Sequence, residues 1–588
     1  MFAFLPRRRI ARATLCTAVL AFGCQPCPHP RPCPKAPPTV ALDAPVAAPS
    51  IAAPAPSLTI TVFPKPAEAA LHMSVVATGA ARDLSQWCLH DPQTAWTMEE
   101  AVSGVSPLEP RAPEQNVVTF PVPEDGTLRV SYRAAERTTP VGAAPSIEVM
   151  PDIFQAIGAA FLLLPCSFDD RVVPVEIRFD LSDVTPHGAK GGATSYGIGD
   201  VQRVRTTGRE LRTSIFAAGA IGTARFEAEE GHDDAAWFGY TVFDPRPIAA
   251  DIAALRTAIA KSLGPPSHVS ESLLIVADAR HVGAYRVHRQ GRGVSLHLGT
   301  AQPWSGDLRI AVAAAVLHGW IGTQLWIGPT ESERQVEGHW FSEGVTRHLA
   351  RDLLFRFGWL TPMEALAEAH GLVGTATTSP LRSFDNETLA RRRDDPEVAR
   401  LLVARGALYA ARFDALLRER TDGKRGLIDV VRDLIEKARG SKGVLPLESW
   451  NDAVRAELGA GEPENFRRSV GKGEPVELPG DVLGPCFTPV RRVYTRYDLG
   501  FDRNASWSET PHRARGVRVH GPAHKAGLRE ADVIVASEIA PGQTDTPVEL
   551  TVERDGERKQ IRYVPRGASI PGVGWRRNRV SDAACVGK

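Results

Sequence analysis

The stretch Ala314-Ala315-Val316-Leu317-His318-Gly319-Trp320-Ile321-Gly322, followed by Trp340-Phe341-Ser342-Glu343-Gly344, decides how this chain is read. Leu308 to Leu317 is nearly continuously apolar and reads as a buried helix, with Ser305 or Asp307 available as N-caps. The helix would deliver a single imidazole, His318, at its end. A carboxylate, Glu343, follows on a second helix.

Residues four apart on a helix share a face, so the pattern HExxH lets two imidazoles reach one zinc ion while the Glu polarises a bound water. A third ligand then comes from a later helix. Here His318 stands at the second-His position and Glu343 at the third-ligand position. Ala314 occupies the first-ligand position and Ala315 the general-base position. A methyl group neither binds metal nor takes a proton, and alanine is a strong helix former, so the scaffold survives while the chemistry is removed. General acid–base help contributes about 10²- to 10⁴-fold and a metal supplies further stabilisation. Losing a ligand and the base together is expected to leave no intact catalytic residue. His339 is a possible replacement ligand, and His348 a more remote one. The competing reading is that both are ordinary packed or surface helix histidines.

Residues 307–458 resemble the glycyl-aminopeptidase-type metallopeptidases, gluzincins that carry a C-terminal PDZ domain. The resemblance rests on the two stretches above, on Leu360-Thr361-Pro362-Met363-Glu364, and on the block from Arg405-Gly406-Ala407-Leu408 through Phe413-Asp414 to Lys424-Arg425-Gly426-Leu427. It implies a thermolysin-like, mainly helical peptidase-like domain. The chain departs from the family again where tyrosines usually precede its Lys-Gly: Leu402 and Val403 stand before Arg405-Gly406, so the oxyanion-stabilising phenol is missing too.

Outward from this centre, 588 residues suggest three or four domains. With 43% hydrophobic and 23% charged residues the composition is globular, and a formal net charge of +1 gives no field to recruit nucleic acid. Residues 1–23 read as a lipoprotein-type signal peptide, with Arg7-Arg8-Arg9 before a short apolar run. Ala21-Phe22-Gly23-Cys24 resembles a lipobox, making Cys24 the expected lipidation site. Residues 24–57 form a Pro/Ala-rich tether, with eleven prolines from Gln25 to Ser57. Residues 58–243 alternate in short runs and read as an N-terminal antiparallel β-sandwich or saddle. Residues 244–472 read as the peptidase-like α+β domain with its degenerate HExxH. Residues 473–572 read as a PDZ-like β domain, and 573–588 as a tail. Cys88, Cys166, Cys486 and Cys585 show no metal spacing; pairing of the first two and of the last two is possible but not fixed by sequence.

Within the C-terminal domain, Tyr497-Asp498-Leu499-Gly500-Phe501-Asp502 resembles a PDZ carboxylate-binding loop, so Leu499, Gly500 and Phe501 are candidate peptide-binding residues. Pro547 to Tyr563 reads as a hairpin around Asp555-Gly556. The expectation is therefore a multidomain α+β protein of the bacterial cell envelope, lipid-anchored and non-catalytic, acting in peptide or protein binding. It would need no cofactor, with zinc only if His318 and Glu343 still hold it. Two alternatives stand beside this: an active zinc aminopeptidase with a rearranged site, and an architectural envelope protein whose PDZ fold is a packing module.

Overall fold

The computed structural model describes residues 54–585, except 92, 104–105, 110–115, 124, 138–145, 185–187, 229–230, 241–242, 269, 279–282, 300, 332–333, 394, 508–509 and 541. The leader, Cys24 and all but the last four residues of the tether lie outside the described residues. No helix among the described residues is long and apolar enough to cross a membrane.

The first body is a seven-stranded sheet in the order Val201–Thr206, Val173–Phe179, Ser57–Lys65, Ala70–Thr78, Thr127–Ala135, Trp96–Ser103, Ser106–Pro107. Strict alternation builds it: in Ser57–Lys65 every second residue is buried, so Leu58, Ile60 and Val62 face one core. All pairings are antiparallel except one. Ser57–Lys65 runs parallel to Val173–Phe179, with Leu58 opposite Val175 and Ile60 opposite Ile177, because the chain returns to that edge only after a long excursion. The sandwich expected as wholly antiparallel therefore contains one parallel pair. Cys88 and Cys166 are joined by a disulfide beside this body.

A second, nine-stranded sheet crosses the sequence boundary at 243/244. His232–Phe238 pairs parallel with Glu271–Asp278, and helix α1 (Arg246–Leu263) makes the crossover between them. Glu271–Asp278 is buried at nearly every position, as a parallel strand covered on both faces must be. Gly293–Gly299 and the edge strand Tyr285–Gln290 complete this side of the sheet.

Much of the rest of this region is helical: α2 (Gly306–Leu317), α3 (Thr346–Arg356), α4 (Pro362–Thr378), α5 (Pro396–Arg420) and α6 (Leu427–Arg439). Their core is aromatic at its centre, where Trp340 lies 4.6 Å from Phe466 and 5.3 Å from Trp450, ring centre to ring centre.

The C-terminal region holds a three-stranded sheet (Val533–Glu538, Val548–Arg554, Glu557–Tyr563) and a long antiparallel ribbon, Phe487–Tyr497 with Arg566–Arg577. The expected hairpin is present, and Asp555 and Gly556 both take positive φ, as a two-residue turn between right-twisted strands requires. The ribbon is pressed into the helices. Trp575 stacks on His370 at 6.3 Å and its amide donates to His370 Nε2 at 3.0 Å, while Phe487 and Tyr494 share a core with Leu366, Val373 and Leu408. The ribbon strand runs past the 572/573 boundary, and Cys585 is disulfide-bonded to Cys486. Residues 573–585 are therefore strand, turn and a short helix stitched to the ribbon, because Trp575 needs burial and Cys585 needs its partner.

Candidate functional site

Helix α2 begins after Ser305, whose extended backbone turns the chain into the helix, and its last residue hands over to His318. Two features hold that end. Trp320 is fully buried and its indole N–H donates to the Gly264 carbonyl at 2.8 Å. Gly322, at φ +94, lets the chain turn back, a conformation that strains any side chain.

Glu343 lies on a wide helical turn, Trp340–Val345, that runs into α3. Trp340 and Phe341 bury on one side of this turn, which sets the direction of Glu343. The turn can approach α5 because both surfaces are glycine. A Cβ at Gly344 would lie 2.7 Å from the Gly406 Cα, and one at Gly406 would lie 1.9 Å from the Trp340 carbonyl oxygen. Gly406 thus seats the Glu343 turn against α5, while the Arg405 guanidinium bonds elsewhere, to Asn386 and to the Arg382 and Phe384 carbonyls.

The structure brings His318 and Glu343 together. His318 Nε2 is 3.3 Å from Glu343 Oε2, and His318 Nδ1 is 3.1 Å from the Ile321 carbonyl oxygen. Both ring nitrogens face acceptors, an arrangement satisfied fully only by the doubly protonated ring. Burial pulls the His318 pKa down, but the hydrogen bond and charge of Glu343 outweigh it and the pKa is raised above 6.5. Burial likewise raises Glu343, and His318 more than compensates, leaving that carboxyl below 4.5. The two form an imidazolium–carboxylate pair, with 22% and 43% of their side chains exposed.

The other candidate histidines divide. His339 sits just before the Glu343 turn, and its pKa is lowered by burial against the opposing pull of Glu343. His348 is buried elsewhere: it accepts from Arg351 at 3.1 Å, lies 3.4 Å from Asp414, and is pushed down to about 3, chiefly by burial. Leu402 packs in an apolar core with Leu389 and Val398, so no phenol comes from that position. Tyr409, the nearest tyrosine in sequence, is buried and donates to Glu462 at 2.8 Å.

These residues do not fit a zinc centre. A catalytic zinc site takes three protein donors whose unprotonated lone pairs converge on the ion. Here Ala314 and Ala315 offer methyls, which leaves His318 and Glu343 as two donors beside each other without a third at the family position. Among the described residues no group of three or more His, Cys, Asp or Glu is placed to hold a metal. One contributor escaped sequence reading. Arg289, on the edge strand, donates to Glu271 at 2.8 Å and to the Ala315 carbonyl at 3.4 Å, and its charge opposes a cation beside His318. Strand alternation gives no local signal for it, since only pairing places that strand against α2.

In the C-terminal loop, Leu499 and Phe501 are buried in the core of the three-stranded sheet, together with Ala523, Leu528, Leu550 and Val552. Gly500, between them, has the positive φ (+83) that the turn demands. The Gly500 amide donates to Asp498 Oδ1 at 2.8 Å, the Leu499 carbonyl accepts from the Tyr563 hydroxyl at 2.6 Å, and the Gly500 carbonyl accepts from the Arg518 amide at 2.9 Å. Asp498, itself paired with Arg518, thus occupies one of the amides that a peptide carboxylate would use.

No protein-family model matches the chain, and no curated protein matches it. Solved structures do. A crystal structure of an aminopeptidase N family protein from Idiomarina loihiensis aligns with a TM-score of 0.65 at 15% identity, covering 88% of this chain and 98% of that one. An M1 zinc metallopeptidase from Deinococcus radiodurans aligns at 16% identity with a TM-score of 0.46, over 73% of this chain and 96% of that one. The first likeness establishes the fold: a β-rich N-terminal region and a helical region in the arrangement of an aminopeptidase N family protein.

Proposed function

We propose that this chain is a zinc-aminopeptidase scaffold whose catalytic centre has been lost, and that it acts by binding peptide or protein rather than by hydrolysis. The observation that carries the reading is that, beside the His318–Glu343 pair, Ala314 and Ala315 supply neither a third ligand nor a base. Export and anchoring through Cys24 belong to the same reading. Two disulfides support an oxidising compartment, since such bonds persist outside the reducing cytosol.

The test is zinc content and aminopeptidase turnover of the purified chain. The reading expects less than stoichiometric zinc and no chelator-sensitive hydrolysis of aminoacyl substrates. One zinc per chain with turnover abolished by a chelator would establish the rearranged active enzyme instead.

A second reading is favoured by the C-terminal region. The ribbon buried against α4 and the self-occupied Leu499–Phe501 loop suit a packing module better than a peptide-capturing one. A C-terminal peptide library passed over the intact chain distinguishes them: recovered ligands that compete at the loop would support capture, and none would support packing.

A further inference from the structure

On the face of α2 turned away from Ala314 and His318, a cavity of about 330 Å³ opens between α1, α2 and the turn joining α3 to α4. Its volume is in the range that holds a small organic ligand. Trp304 and Trp359 supply aromatic walls, Leu255 and Val312 aliphatic ones, and Asp251 lies among the lining residues with an exposed side chain. Among the described residues Asp251 has no ion-pair or side-chain hydrogen-bond partner.

The walls are held in place by one chain of bonds. Arg309 donates through Nη1 to the Trp304 carbonyl at 2.8 Å and through Nη2 to Glu364 at 2.6 Å. Glu364 in turn accepts from the Thr361 amide at 2.9 Å, two residues beyond Trp359. This frame fixes both tryptophan segments, and it neutralises the one cationic side chain of the lining, so Asp251 sets the sign of charge that the pocket prefers.

Indole faces attract cations through their quadrupole, and a free carboxylate adds to that attraction. We propose that this cavity is a binding site for a small organic ammonium ion, its cationic head held among Trp304, Trp359 and Asp251. The proposal does not depend on whether the His318 site is catalytic.

Choline, benzyltrimethylammonium and 3,3-dimethyl-1-butanol, the neutral isostere of choline, test it on the intact chain by ligand-observed NMR. Saturable binding of either cation, at least about tenfold weaker binding of the alcohol, and a similar loss in Asp251→Asn are expected. Trp359→Leu should weaken the cations as well, with circular dichroism reporting whether that variant folds. Equal affinity for choline and its isostere, unchanged affinity in Asp251→Asn, or no binding of either cation at millimolar concentration would overturn it.

Discussion

His318 Nε2 stands 3.3 Å from Glu343 Oε2, so an imidazole and a carboxylate join the end of α2 to the turn before α3. The contact ties two segments that lie 25 positions apart in the chain. Because both side chains are partly exposed, such a link contributes only about 0–1 kcal/mol. His318→Ala should therefore shift thermal stability little, measured by calorimetry, and a loss well beyond that range would assign the histidine a larger packing role.

Restoring a third donor tests the site from the other direction. Ala314 is partly exposed and lies one helical turn before His318. Ala314→His should raise bound zinc from substoichiometric toward one per chain, read by elemental analysis after dialysis. Unchanged zinc content would mean that the Arg289 charge beside His318 still shuts metal out.

The crossing of the Glu343 turn with α5 leaves no room for a methyl. Gly406→Ala would place a Cβ 1.9 Å from the Trp340 carbonyl oxygen, a backbone atom that cannot rotate away. Overpacking of this kind costs about 1–3 kcal/mol, and chemical denaturation should show a loss of that size. A neutral outcome would require the helices to move apart.

The Cys486–Cys585 bond closes a loop whose ends are 99 residues apart in sequence. Chain-entropy arguments assign such a cross-link about 2–5 kcal/mol. Cys585→Ser should lower stability by that order, and limited proteolysis should then trim the residues after the ribbon.

His268 is pushed down to about 4, first by burial and then by Arg292 and Arg289, and fully buried His297 is lowered in the same direction. Both are neutral when folded, while in the unfolded chain they take up protons near 6.5. Stability from these groups is therefore present above that value and lost as pH falls from about 6.5 toward 4. His268→Asn should flatten this acid slope in denaturation measured across that range. A slope that does not change would place the acid sensitivity elsewhere.

Much of the fold was legible because its signals are local. Alternation in Ser57–Lys65, the apolar run of α2 and the Asp555-Gly556 turn each express a backbone period or a φ requirement within a few residues. The domain boundaries were less legible. The strand partner of His232–Phe238 lies beyond α1, and Trp575 is buried by His370, far earlier in the chain.

By itself the sequence determined that Ala314 and Ala315 cannot supply a ligand or a base, since that is a property of the side chains alone. It also singled out His318 and Glu343 as candidate donors. Only the tertiary structure decided what those two side chains touch. Glu343 is brought to His318 by the Gly344–Gly406 approach, the Ile321 carbonyl and Arg289 arrive through a turn and a neighbouring strand, and His348 is drawn off to Arg351 and Asp414. Protonation and metal affinity depend on distances between groups far apart in the chain, and those distances exist only once the chain has folded.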